Sequence, residues 1–146
     1  MVRVEVITPE RIAYEGEGIL VTVPTTDGLL GIGAGHVPLL ASLKAGEVIV
    51  RRPGGEDEFL AVAGGFVEIL PTVVRVLADS AEHAHELNEA VIKEAIAAAE
   101  HAKKEAVNQI QFAEASVLIE NNLVRLRVAQ RKHSHGGHSN ISSQEL

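Results

Sequence analysis

Cysteine is absent from this sequence of 146 residues, and so is tryptophan. Without cysteine the chain forms neither disulfides nor thiolate metal sites, and its redox compartment stays open. Aromatic residues are only 3% of the composition, so a core must come from Val, Leu, Ile and Ala. This length holds one ordinary domain, or a smaller domain with an appendage.

An excess of positive charge and a long apolar run are also lacking. The formal net charge is −7, which argues against nucleic acid as a partner, because phosphates would be repelled on average. No apolar run is long enough to span a bilayer, so we expect that the chain itself does not cross a membrane. Because residues 1–3 lead directly into an alternating strand pattern, we expect no secretory signal.

Residues 46–79 are a succession of apolar runs separated by turn residues. Turns are predicted at 53–55 (Pro-Gly-Gly), 64–65 (Gly-Gly) and 71–72 (Pro-Thr), because proline fixes φ and glycine permits positive φ. Four strands that reverse at these turns form an antiparallel meander. Residues 58–63 are apolar on both faces, so this sheet needs a second layer to cover it.

The residues before position 46 are expected to supply that second layer. Alternating or apolar runs predict strands at residues 2–6, 19–23, 29–32 and 39–40. With the meander, this makes roughly eight short strands, the spacing of a sandwich or flattened barrel. We therefore predict an antiparallel β-sandwich over residues 1–85.

The composition then changes to a pattern typical of helix. Residues 81–106 contain neither Gly nor Pro and are rich in Ala, Glu and Lys. Asp79 and Glu82 resemble a capping box for a first short turn, and Asn88 is placed to cap the main helix. We predict a helical domain over residues 86–132.

Two stripes of small or apolar residues predict that two helical segments pack together. Residues 107–111 contain no Gly or Pro, so an antiparallel hairpin and one continuous rod both remain open; the hairpin is favoured because a rod leaves both stripes in water. The tail 133–146 is polar and rich in Gly and Ser, which predicts disorder. The stripes are Val91, Ala95, Ala98, Ala99, Ala102 and Ala106, and Phe112, Ala115, Ile119, Leu123 and Leu126.

The glycine-rich and histidine-containing segments are the candidates for a phosphate-binding loop and a catalytic residue. The spacing Gly31-x-Gly33-x-Gly35 lacks the lysine of a phosphate loop, so a turn-rich connection is favoured. His36 is a lone histidine before proline, and a structural or interface role is favoured over catalysis.

The other histidines do not predict a metal site. His83 and His85 are two positions apart and would not share a helical face. His133, His135 and His138 offer only loose Ni²⁺ or Cu²⁺ binding on a flexible tail. Because no active site emerges, the pattern indicates an interaction protein that needs no cofactor.

Several ordered motifs resemble the epsilon subunit of the bacterial F-type ATP synthase. They are residues 28–32 (GLLGI), 35–40 (GHVPLL), 63–69 (AGGFVEI) and 76–79 (VLAD), followed by the helical arm. The resemblance extends from Val2 to about Lys132. It implies a sandwich of about ten strands joined to a two-helix hairpin, with no catalytic residues of its own.

The resemblance also implies a place in the rotor stalk, peripheral on the cytoplasmic face of the inner membrane. One implied contact is with the ring of c subunits, through Thr26, Asp27, Gly28, Leu29 and Gly31. The other is with the gamma subunit, through His36, Val37, Pro38 and Leu39. The sandwich would thus couple the ring to the stalk.

In the family, the helical arm restrains ATP hydrolysis by the alpha/beta catalytic head. Arg125, Arg127, Arg131 and Lys132 would then contact acidic loops of the beta subunits. The alternative is that these cations merely complement the dipole at a helix C-terminus.

Some members bind ATP on the hairpin through an Ile/Leu-Asp-x-x-Arg-Ala motif, helped by arginines of the second helix. Here the matching residues are Leu87, Asn88 and Val91, with Asn121 and Arg125 on the second helix. Loss of the aspartate and of the motif arginine removes charge-assisted contacts to phosphate. We therefore predict weak or absent ATP binding.

Two other functions are alternatives to a stalk subunit. A free-standing binding sandwich with a helical tail would not co-purify with gamma. A small hydrolase using His36 would place a concave polar pocket around that residue.

Overall fold

The computed structural model describes the backbone of residues 1–142 and side chains as far as residue 131. The chain divides into two compact units, Met1–His83 and Ala84–Leu146. We call them the β unit and the helical unit. Among the described residues, no helix is both long enough and apolar enough to span a membrane.

Eight strands form the β unit, rather than about ten. They are connected in the order β2-β1-β8-β7-β6-β3-β4, with β5 also paired to β7. Every pairing is antiparallel except that of β1 with β8, which is parallel. The strands are β1 Val2–Ile7, β2 Ile12–Gly18, β3 Leu20–Thr25, β4 Gly28–Ile32, β5 Leu39–Ser42, β6 Gly46–Arg51, β7 Glu58–Ile69 and β8 Val73–His83.

The long strands β7 and β8 join the two layers of the sandwich. The first part of β7 pairs with β6, and its last four residues pair with β5, while β8 follows β7 along both parts. The predicted sandwich is therefore confirmed. Its core is mainly aliphatic, as the scarcity of aromatics predicts, and its largest fully buried side chains include Ile32, Leu60, Ile69, Val2, Val4, Val6, Val21, Val23, Val48, Val50 and Val67.

The turn predicted at Gly64 and Gly65 is wrong, because β7 continues through both residues. Both have positive φ, +64° and +105°, as a turn would require. The pairing with β8 passes from Ala63 opposite Ser80 to Gly65 opposite Ala78. The register is the same on both sides, and only Gly64 opposite Asp79 is left out of the pairing, so both glycines lie inside one strand.

Strand β2 was missed, because Gly16 and Gly18 weaken its strand pattern. In the sheet these glycines lie opposite Val4 and Val2 of β1, where the partner strand supplies the apolar side chain. The predicted turns at 53–55 and 71–72 are confirmed, since each lies between consecutive strands.

The capping box predicted at Asp79 and Glu82 is also wrong. Both residues lie in β8, and Glu82 is opposite Ala61 of β7. His83 is the last residue of β8, so it does not belong to a helix as the comparison with His85 assumed. Pairing along β7 outweighs the helical preference of this short segment.

The helical unit contains a 3₁₀ turn, Ala84–Glu86, and two helices, α1 Glu89–Lys104 and α2 Gln109–Ser142. Asn88 caps α1 as predicted, because its Oδ1 accepts the Val91 N–H at 3.2 Å. Asn108 caps α2 in the same way, accepting the Gln111 N–H at 2.9 Å.

The two helices form the antiparallel hairpin that the sequence favours. At one end, Lys103 Nζ lies 4.9 Å from the centroid of the Phe112 ring. At the other end, Gln130 Nε2 donates to Glu89 Oε1 at 3.4 Å. The end of α1 is therefore next to the start of α2, and the start of α1 is next to Gln130 of α2.

The predicted stripes describe the buried helix faces only in part. Ile92 and Ala99 are buried on α1, whereas Val91 is exposed. On α2, Ala115 is buried but Leu123 is exposed. The buried face of α1 is therefore rotated from the small-residue stripe toward its larger aliphatic side chains. The backbone of α2 continues to Ser142, past residue 132, where the helical domain was predicted to end. For residues 143–146, which lie outside the described part, the predicted disorder stays a prediction.

Candidate functional site: docking surfaces

A tight turn between β3 and β4 holds the residues predicted to contact the c ring. Thr25 Oγ1 donates to the Gly28 carbonyl at 2.6 Å and accepts the Asp27 N–H at 3.3 Å. Gly28 has φ +119°, a conformation that favours glycine. Because the turn is held by its own hydrogen bonds, Thr26, Asp27 and Leu29 stay exposed, Leu29 by 75%.

A groove of about 430 Å³ lies between this turn and β5. Thr26 N–H donates to the Ser42 carbonyl at 3.0 Å and holds the two segments side by side. The groove is lined by residues 25–30 and 39–42. The predicted c-ring residues are thus adjacent to Leu39, the last of the predicted gamma residues.

The loop that carries His36 connects β4 to β5. Gly35 N–H donates to the Pro71 carbonyl at 2.9 Å, which fastens the loop to the turn between β7 and β8. His36 Nδ1 lies 2.7 Å from the carbonyl oxygen of Val37, and Val37 itself is 71% exposed. The histidine contacts its own neighbour rather than a nucleophile, so the arrangement does not favour the hydrolase alternative.

A row of apolar side chains crosses the outer face of the sheet beside this loop. Phe66 lies opposite Leu77, Leu77 opposite Ile7, and Ile7 opposite Ile12. Phe66 is 52% exposed, and Leu77 and Ile12 are exposed as well. Ser42 of β5 faces Phe66, so the row begins at the groove. We call these four side chains the apolar row.

Charged side chains run alongside the apolar row on the same face. Arg75 pairs with Glu68 at 3.8 Å and with Glu5 at 3.0 Å, and Arg3 pairs with Glu5 at 3.1 Å and also with Glu15. Hydrogen bonds from Arg3 and then Arg75 hold the pKa of the Glu5 carboxyl below its ordinary value. Three carboxylates share two guanidinium groups, which leaves the border of the row acidic.

Sequence reasoning missed the apolar row because its members come from four strands. Each lies in a run of apolar residues, so nothing in the sequence marks it as exposed. Only the register of β1 with β8 and of β1 with β2 brings Ile7 and Ile12 beside Leu77. A prediction of β2 at its observed position would have placed Ile12 beside Ile7 and so revealed part of the row.

The residues that match the family's ATP motif have other roles in this hairpin. Leu87 is buried, Asn88 caps α1, and Val91 is exposed. Arg125 Nη1 donates to Asn122 Oδ1 at 2.8 Å, one turn earlier on α2. Asn121 is half-buried. These positions therefore lack the aspartate and the arginine of the motif, and the contacts described for Asn88 and Arg125 lie within their own helices.

The cations predicted to contact the catalytic head lie near the end of the described side chains. Arg127 is exposed, and Arg131 is half-buried. The side chain of Lys132 lies outside the described residues. Val124 and Val128, which alternate with these cations in the sequence, are buried. The arginines therefore lie on the more accessible side of α2.

The family described as "ATP synthase, Delta/Epsilon chain, beta-sandwich domain" matches residues 1–84. The ATP synthase epsilon chain of Chromobacterium violaceum is 38% identical over 126 residues, covering 86% of this chain and 90% of that protein. The epsilon chain of Chloroflexus aggregans is 40% identical over 129 residues, covering 88% and 92%.

Among solved structures, the fold resembles a chain in the Euglena gracilis mitochondrial ATP synthase, described as OSCP/F1/c-ring in rotational state 1. The TM-score is 0.76 at 18% identity, covering 88% of this chain and 80% of that chain. The epsilon chains are non-catalytic subunits, so the prediction that this protein is not an enzyme is confirmed. From the family match and these relatives, the chain belongs to the delta/epsilon family of ATP synthase subunits.

Proposed function

We propose that this protein is a central-stalk subunit of a proton-translocating ATP synthase. Its β unit couples the c ring and gamma to the catalytic head, and its helical unit restrains ATP hydrolysis. The observation that carries the proposal is the groove in which the predicted c-ring turn lies beside β5, whose first residue, Leu39, ends the predicted gamma segment. In this function the protein is peripheral, held on the cytoplasmic face of the membrane by the complex.

The turn of residues 25–28 suits contact with the polar loops of the c ring. Leu29 offers an exposed apolar side chain, and Asp27 offers one carboxylate beside it. An apolar centre with a polar rim is the usual anatomy of a protein–protein contact. Because the turn is braced by Thr25, little order is lost when it docks.

The loop of residues 36–39 and the apolar row together suit contact with gamma. Val37 and Leu39 are exposed at one end of this surface, and Phe66 and Leu77 continue it across the sheet. An aromatic side chain near the middle of an apolar patch is the kind of residue that dominates binding energy. The acidic border predicts basic residues on the facing surface of gamma.

Replacing Phe66 with Glu is expected to weaken binding to gamma by about 30-fold, because a charge would be buried in place of an aromatic contact. Titration calorimetry with purified gamma measures the change. Ile19→Glu is the matched control, since Ile19 is 49% exposed but lies outside the apolar row. Equal losses in the two variants would contradict this surface, and no binding of the unaltered protein to gamma would contradict the proposed function.

The helical unit suits a restraining arm because it carries an exposed cation on the accessible side of α2. Arg127 is exposed on α2, and acidic loops of the catalytic subunits are its complement. The hairpin has its own capped ends at Asn88 and Asn108, so it keeps its form as a unit.

ATP is expected to bind weakly or not at all, because Asn88 and Val91 replace the acid and the guanidinium of the motif. Titration calorimetry of the full chain should show no micromolar affinity. The double variant Asn88→Asp/Val91→Arg should bind at least about tenfold more tightly, since aspartate preserves the cap of α1. Asn88→Asp alone is the control, and micromolar binding by the unaltered chain would overturn the prediction.

A further inference from the structure

His83 ends β8 at the last residue of the β unit, and both of its ring nitrogens face acceptors. Nδ1 lies 2.6 Å from Oε1 of Glu58 on β7. Nε2 is hydrogen-bonded to the backbone carbonyl of Ala13 on β2. The His83 and Glu58 side chains are only 12% and 19% exposed. One imidazole thus connects three strands.

The number of hydrogens on the ring decides how many of these strands it holds. A neutral imidazole carries one N–H and can donate to either Glu58 or Ala13, but not to both. The imidazolium carries two and satisfies both acceptors, while its charge pairs with the carboxylate. Between a carboxylate and a carbonyl, only the doubly protonated ring can donate to both.

Other ionisable side chains lie near the His83 ring in the fold or in the sequence. The Tyr14 ring lies 6.2 Å from the His83 ring, and burial raises the pKa of the Tyr14 hydroxyl, so that it stays neutral. Arg11, also on this side of the sheet, donates to the Ala81 carbonyl at 3.0 Å. Other charged or titratable groups are Glu58, bonded to the ring, Arg52 near Tyr14, Glu82 on β8, and His85 two positions later in the sequence.

We propose that His83 is a proton-dependent clamp on the end of the β unit. Protonated, it ties β2 and β7 to β8 immediately before the chain leaves the unit at Ala84. Loss of one proton removes one of the two bonds and loosens the end of β8. The contribution is thus present at lower pH and lost as the pH rises. This inference does not depend on the function proposed above.

Amide hydrogen exchange of the full chain tests the clamp. Protection factors, which correct for the intrinsic effect of pH, are measured from about pH 5 to about pH 8. At residues 81–83 they should fall about tenfold over this range in the unaltered protein. In His83→Gln they should be low throughout and change little with pH. His101→Gln is the control, because His101 is exposed on α1, and it should keep the unaltered profile.

An equal fall with pH in His83→Gln and in the unaltered protein would overturn the proposal, as would no fall in the unaltered protein. Should His83→Gln fail to fold, ¹⁵N NMR of the unaltered protein decides the question. The ¹⁵N chemical shifts of the His83 ring nitrogens and of the amides of Ala13 and His83 should change over the same pH range. A change of the ring without any change of these amides would also overturn it.

Discussion

Replacing Gly65 with alanine is expected to lower the free energy of unfolding of the β unit by about 3 kcal/mol. Gly65 has φ +105°, which an alanine adopts only under strain. A Cβ there would also collide with the carbonyl oxygen of Leu77 and lie 2.9 Å from the Cα of Ala78. Both atoms belong to the backbone of β8, so a strand must move rather than a side chain.

Gly54 provides a matched control for this prediction. Its φ is +63°, but a Cβ there would meet nothing within 4 Å. Gly54→Ala therefore isolates the conformational cost, about 1 kcal/mol. Urea unfolding gives both free energies, and for Gly65→Ala the thermal midpoint should fall by about 12–24 °C. Losses of the same size in both variants would show that the close approach of β8 contributes nothing.

Removing the helical unit by ending the chain after His85 is expected to raise ATP hydrolysis by the reconstituted catalytic head about fivefold or more. Restraint by an arm is a coupling free energy, and about 1 kcal/mol of coupling corresponds to this factor. The β unit has its own core, and all of its strands pair with one another. It should therefore fold and stay bound to gamma after the truncation. Hydrolysis rates at saturating ATP measure the effect.

A chain that ends after Lys132 is the control for this truncation. It keeps α1 and the part of α2 that contacts α1 as far as Gln130, and lacks only residues 133–146, so its hydrolysis rate should equal that of the full chain. An unchanged rate after removal of the whole helical unit would confine the protein to a coupling role. Substituting Arg127 with Glu should give part of the increase, if its charge contacts acidic loops.

Features with local causes could be predicted from the sequence. Asn88 caps α1 as expected, because a cap depends on the side chain and the next three residues. The turn at residues 53–55 was found for the same reason. Gly64 and Gly65 could not be placed from the sequence, because a positive φ is compatible both with a turn and with a position inside a strand. Only the pairing with β8 on both sides of the two glycines shows that they lie inside one strand.

The candidate site was predicted in the same uneven way. The turn of residues 25–28 and the His36 segment are contiguous in sequence, so their motifs could point to them. The apolar row could not be predicted, because it depends on the register of β1 between β2 and β8. That register follows from burial of Val2, Val4 and Val6 in the common core rather than from any short pattern.

The parallel pairing of β1 with β8 has a consequence for how the chain folds. Arg3 lies opposite Val73, so the first strand finds its permanent neighbour about seventy positions later. During synthesis, β1 can form a hairpin with β2 at once, yet its other edge stays open until nearly the whole β unit has emerged. Because contacts between distant positions form slowly, we expect the pairing of β1 with β8 to be the slow step of folding. Before this pairing forms, the open edge of β1 makes the nascent chain most prone to aggregate.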